Sequence, residues 1–303
     1  MPEHERQHYV PQFYLKNFCN ASNNRQIYCY DKVTNKSFVT TIENVAVGKL
    51  FYTASKKHKI GREEGLTRIE QEFFVKPYYK LLEMKNFKKL SHGMKEDFFV
   101  FLSVQLLRTE EFRLQIKDLH EQVLLKLAKD TYDKSIPDGI KIKISDIYSK
   151  LEHLSFMDTN SIFEFAKHLD NKLWIVTVNK TRDKLWTSDN PISFYNSFGH
   201  TGHNLGLFSR GIEVRFALSK DLLLFSYDPK THPLIGNRSG MSDNDVLFAN
   251  RLQLVSSTRF IYSPTNDFES ASKFLQRYPK YKDPERSRWD VTSDHDKIDF
   301  GRI

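Results

Sequence analysis

The chain predicts an α+β fold, with an antiparallel sheet built from N- and C-terminal strands around a central block of long helices. Three observations predict it. Period-two alternation of apolar and polar residues occurs before residue 54 and again after residue 171. Apolar residues between those segments recur at three- and four-residue steps, and strands and helices come in runs rather than in strict alternation.

The elements follow in order. HYVPQFYLKNF, residues 8–18, opens with Tyr9 and Val10 extended, and Pro11 suits the first turn of a short helix whose apolar face is Tyr14, Leu15 and Phe18. Those rings anchor a terminus that would otherwise fray, and they leave His8 just outside with no packing reason to be histidine. RQIYCYDK and SFVTT, separated by VTN, predict a hairpin ending near Thr41, and KLFYT after Gly48 predicts another short strand. Leu66, Ile69, Phe73 and Phe74 set a helix over 63–84, with Pro77 as a kink or break. A single long helix is expected over 95–132, from the apolar series that runs from Phe98 to Leu127.

IPDGIKIKI ends that helix, Ser145 N-caps ISDIYSKLEHL, and SIFEFAKHL forms a further helix. KLWIVTVN and KLWTSD flank KTRD as a hairpin that runs into SDNPIS. IEVRFALS and LLLFSYD are strands joined around Lys220 and Asp221. DNDVLFANRLQLVSS is a helix, RFIYS a strand and FESASKFLQRY the last helix. Without repeats or linkers, residues 1–283 are expected to form one intertwined domain with a helical insertion at about 61–170, followed by a polar arm over 284–303.

The formal charge of +8 favours polyanionic partners such as RNA or DNA. Cys19 and Cys29 match neither a disulfide framework nor a zinc site and read as buried thiols of a reducing compartment. No apolar run approaches the roughly 20 residues of a membrane span, and MPEHERQHYV lacks the order of a signal peptide, so a cytoplasmic protein with no membrane association is expected.

Taken together, HYVPQFYLKNF, ENVAVGKLFYT, RIEQEF, QLLRTEEFR, WTSDNPIS, RFALSKDLLL and FANRL resemble, in that order, the DUF4238 family of uncharacterised proteins. One departure is visible, because Glu110 stands where the family typically has a proline after Gln-x-x-Arg-Thr. The resemblance implies that His8, Glu70, Gln105, Arg108, Ser188, Asp189, Asn190 and Asn250 belong together.

Gln105 and Arg108 lie three residues apart on one helix face, and a buried arginine requires an anionic partner, either Asp189 or a ligand phosphate. Asp189 and Asn190 end a strand before Pro191, placed either for chemistry or for an Asx-turn. Asp189 followed by Glu213-Val214-Arg215 mimics a metal-nuclease pattern, although arginine is a poor base and exposed alternation on a strand explains the same letters. Arg113 and His120 share a helix face in the manner of HEPN ribonucleases, a pairing that a long charged helix also produces by chance. The segment from Lys273 to Trp289 interleaves cations and rings as single-stranded nucleic acid requires, or as an amphipathic helix does.

The expectation is a nucleic-acid-directed enzyme, a metal-dependent nuclease acting as a toxin or anti-phage effector. Asp189 and Glu70 would hold Mg²⁺ or Mn²⁺, His8 would be acid or base, and Gln105 and Arg108 would clamp phosphate, with Ser188, Asn190 and Asn250 contacting ligand. The alternative is a ligand- or protein-binding sensor module whose polar cluster is structural.

Overall fold

A computed structural model describes residues 6–53, 62–131, 137, 139–198, 207, 211–228 and 240–289. The N-terminal part holds β1 (Arg6–His8), α1 (Gln12–Leu15), the hairpin β2 (Gln26–Asp31) and β3 (Lys36–Thr41), and β4 (Val47–Lys49). The helical block comprises α2 (Arg62–Ile69), α3 (Val75–Met84), α4 (His92–Leu107), α5 (Glu110–Thr131), α6 (Asp146–Ser155) and α7 (Thr159–Asp170). Then come β5 (Leu173–Asn179), β6 (Thr187–Ser188), β7 (Ile192–Asn196), β8 (Ile212–Ser219), β9 (Leu222–Tyr227), β10 (Gly240–Met241), α8 (Asp243–Ser256), β11 (Phe260–Ser263) and α9 (Glu269–Arg277).

The α+β class stands, with strands parted into separate sheets. One runs β3-β2-β11-β6 and joins the two ends of the chain, a second runs β10-β5-β9-β8-β7, and β1 pairs with β4. All neighbours are antiparallel except β10 and β5. The opening aromatics are packing residues, as their spacing predicts. Tyr14 stacks on Phe216 at 4.9 Å between centroids and donates to the Ala217 carbonyl at 2.9 Å, so α1 is bolted to β8. Leu15 and Phe18 are fully buried beside it. Cys19 and Cys29 are buried free thiols, and burial pushes Cys19 up to about 11. No helix among the described residues is long and apolar enough to cross a membrane.

Four local expectations are corrected. The helix expected over 95–132 is two, because Arg108 closes α4 and the Thr109 hydroxyl accepts from the Phe112 amide at 3.2 Å, starting α5 with Glu110 and Glu111 in its first turn. Pro77 does not break its helix. The irregularity lies just before it, in a π-turn at Glu70–Phe74, where wider coiling relieves the clash a proline ring makes with the carbonyl four residues back. KLFYT is not a strand, because Leu50 at φ 49° turns the chain directly after β4.

The hairpin of KLWIVTVN with KLWTSD does not form either. Asn179 accepts from the Thr181 amide at 2.9 Å and donates to the Asp183 carbonyl at 2.7 Å, curling the KTRD loop so that β5 pairs with β9 and β6 crosses to the other sheet. At the C-terminal end, residues 284–289 of the expected polar arm lie against α5, whose Gln115 carbonyl accepts from the Trp289 indole at 2.7 Å; the rest of the arm lies outside the described residues.

Candidate functional site

His8 ends β1 opposite Val47, and four residues later Gln12 begins α1 on the far side of Pro11. That spacing brings Gln12 Nε2 to 3.0 Å from His8 Nε2. An amide NH₂ donates, so Nε2 accepts and the ring proton resides on Nδ1, which is buried near the Val45 backbone without a well-formed hydrogen bond. Burial, then the Arg108 and Arg6 charges, hold His8 below the usual imidazole range, so the ring is neutral at pH 7.

Arg108 reaches the same place from the α4–α5 break. Its Nη2 donates to the His8 carbonyl at 2.6 Å, its Nε to the Tyr52 hydroxyl at 3.1 Å, and its Nη1 pairs with Glu70. Only 4% of the Arg108 side chain is exposed, against 16% for Glu70. Glu70 is the first residue of the π-turn, an irregularity that recurs at functional sites. One turn before Arg108, Gln105 donates to the Tyr9 carbonyl at 3.1 Å, and its buried Oε1 has no hydrogen-bond partner. His8, Gln12, Glu70 and Arg108, with Arg6 and Thr67, line a cleft of about 530 Å³.

The SDNP residues form a different network. The Asp189 carboxylate accepts from three consecutive amides, Thr258 at 2.9 Å, Arg259 at 2.7 Å and Phe260 at 2.7 Å, fastening the end of β6 to the start of β11. Burial pushes it up to about 6, against the lowering pull of Lys32 and those amides. The single hydroxyl proton of Ser188 is shared between the Asn190 carbonyl at 2.8 Å and Gln253 Oε1 at 2.9 Å. Asn190 donates to the Ser256 carbonyl at 2.9 Å. Asn250 accepts from the Trp186 amide and donates to the Lys184 carbonyl, both at 2.9 Å.

Behind Asp189 lies fully buried Lys32, which donates to the Leu254 and Ser257 carbonyls at 2.9 and 2.7 Å; burial and Arg286 pull it down to about 7. Buried Glu111 completes this region. It accepts from Thr258 at 2.8 Å and pairs with Arg286 at 3.0 Å and Arg288 at 2.9 Å.

The eight residues expected together therefore divide. His8, Glu70 and Arg108 meet, with Gln105 adjoining. Ser188, Asp189, Asn190 and Asn250 form the frame between β6, α8 and β11. The anionic partner of Arg108 is Glu70 rather than Asp189, and no hydrogen bond or ion pair joins Glu70 to Asp189. Among the described residues, no group of three or more His, Cys, Asp or Glu could hold a metal ion. Glu213 and Arg215 are not an exposed alternation. They pair with each other at 2.7 Å, largely buried on β8, with Arg215 4.7 Å over Phe248 and in a different sheet from Asp189. Arg113 pairs with Glu110 at 3.1 Å and His120 with Glu152 at 2.8 Å. Phe274 and Tyr281 are buried in a satellite core with Trp186 and Phe268, so they are not a stacking platform.

Residues 6–267 match the family model described as a protein of unknown function, DUF4238. The chain belongs to the DUF4238 family. No curated protein and no solved structure matches it. The DUF4238 match takes in the whole His8 cleft and the SDNP frame, whereas Arg286 and Arg288, which clamp Glu111, lie past its end.

Sequence reasoning missed Gln12, Tyr52, Lys32 and Glu111. Gln12 had a signal in its four-residue offset from His8. Lys32 had none, because nothing in a hairpin turn marks a lysine for burial.

Proposed function

We propose that this DUF4238 protein is a nucleic-acid-directed enzyme whose working site is the His8 cleft, with the SDNP corner as its frame. One observation carries the reading: His8, whose charged form is disfavoured by burial and by Arg108, lines a cleft of about 530 Å³ beside that buried arginine. That volume suits a nucleotide-sized group. His8 would accept a proton through Nε2 once a bound hydroxyl or water takes the place of the Gln12 amide, and Arg108 and Arg6, offset by Glu70 and Glu43, are the cations that would meet a phosphoryl group there. Glu43 and Glu70, the latter once released from Arg108, are the carboxylates of this cleft that would hold Mg²⁺ or Mn²⁺, in place of a Glu70–Asp189 pair.

The test is incubation of the purified protein with RNA, single-stranded DNA and duplex DNA, with Mg²⁺, Mn²⁺ or EDTA, beside His8→Asn. Cleavage by the parent and its loss by about 100-fold in folded His8→Asn is the expected result, in line with the contribution of a general acid or base. An inert parent, or a variant that cuts equally well, ends the proposal. A second reading, a sensor module with a structural polar cluster, is favoured by the three protein partners of Arg108. Under it, ligand binding persists in His8→Asn without turnover by either protein.

A further inference from the structure

The β2–β3 hairpin leaves β3 as the terminal strand of its sheet, and its residues 36–39 are exposed. Phe38 is 47% and Val39 50% exposed, and neighbouring strand residues point to opposite faces, so apolar surface is uncovered on both faces. Proteins ordinarily blunt such an edge with proline, bulges or central charges. KSFVTT contains no proline, pairs with β2 without a register shift, and has its single charge at the first position.

Hydrogen-bond parity shows which backbone groups are free. The Ile42 amide donates to the Arg25 carbonyl at 2.9 Å, so residues two apart from Ile42, namely Thr40, Phe38 and Lys36, direct their amides and carbonyls toward β2. On the opposite side of β2, the Lys32 amide bonds to the Arg259 carbonyl at 3.1 Å, as the same parity requires. Ser37, Val39 and Thr41 therefore face outward.

We infer that this edge pairs with a second copy of the chain, β3 against β3 in antiparallel register about a two-fold axis at Val39. That register alone engages all three outward residues of each strand. Val39 faces the second copy's Val39 and Ser37 faces its Thr41, giving about six backbone hydrogen bonds, two for each bonded pair. Phe38 then covers Thr40, and Lys36 lies opposite Ile42, so no like charges meet. The two four-stranded sheets become one across the axis. A strip this narrow falls below the roughly 1,200 Å² of a standard interface, so self-association is concentration-dependent, in the range of about 10 µM to 1 mM.

Sedimentation velocity of the full chain across that range tests the inference. The wild type should shift from monomer to dimer. Val39→Lys sets two cations face to face on the axis and should remain monomeric, as should Val39→Glu, whereas an equimolar mixture of the two should regain the dimer. Val39→Pro removes an outward amide that β2 does not use, so it should abolish pairing while its melting temperature stays within about 2 °C of the parent. A wild type that is monomeric to 1 mM overturns the inference, including the case in which it captures an extended peptide instead. Dimerisation of Val39→Lys and Val39→Pro at wild-type strength also overturns it, as does a charge-swapped mixture that stays monomeric.

Discussion

The SDNP corner and the His8 cleft hold much the same inventory of carboxylate, amide and cation, and they differ in where their hydrogen bonds end. At the corner, Asp189, Ser188, Asn190 and Asn250 bond to backbone groups or to Gln253, and Asp189 alone accepts three amides. At the cleft, Arg108 binds the N-terminal strand to the π-turn, yet His8 and Glu70 still border open volume. Motif-like density of polar residues therefore marks two different things in this chain. Saturation marks the corner as a clasp, since a group already committed to backbone partners has little capacity left for a ligand.

The comparison breaks first at Asp189. Asp189→Ala strands three buried amides and removes the carboxylate near Lys32, so calorimetry should show a loss of roughly 3–5 kcal/mol. If the loss is below that of His8→Ala, the corner is not the clasp described. Arg108→Ala leaves Glu70 and the His8 carbonyl without their cation and should cost about 3 kcal/mol in urea unfolding, with most of it recovered when Glu70→Gln is added.

Lys32 gives the corner a pH signature. Its folded value of about 7 lies below the ordinary 10.5, so between those limits the unfolded chain binds more protons and stability rises with pH. That contribution is fully present above 10.5 and is lost as pH falls through 7. Chemical denaturation from pH 7 to 10 should therefore show a rising midpoint in the parent and a flat one in Lys32→Met. Thr109→Ala removes the hydroxyl that starts α5 and should cost about 1 kcal/mol by the same method. The smallest stability effect belongs to His8→Asn, about 0.5 kcal/mol, because its one side-chain bond is to Gln12. NMR titration of His8 should find its midpoint below 6.5, as its burial and the Arg108 charge require.

Much of the fold was legible in the letters. The β2–β3 hairpin, the β8–β9 pair, α6 with its Ser145 cap, α8, β11 and α9 fall where periodicity and capping place them, because local patterns report which face of an element is apolar. The break at Arg108 was legible too, since Thr-Glu-Glu is an N-cap followed by an acidic first turn, but the continuous apolar series hid it. The hairpin drawn across KTRD failed for another reason. Alternation shows that a strand exists, but not which neighbour it takes.

The sequence by itself determined the α+β class and the anchoring of the N-terminus by Tyr14, Leu15 and Phe18. Tertiary structure decided that Arg108 pairs with Glu70, that Asp189 serves the backbone of β11, and that a lysine in a turn is buried. These are contacts between residues far apart in the chain. Their partners depend on the long-range crossing of strands and helices, and no local spacing encodes the direction in which a charged side chain will find its counter-charge.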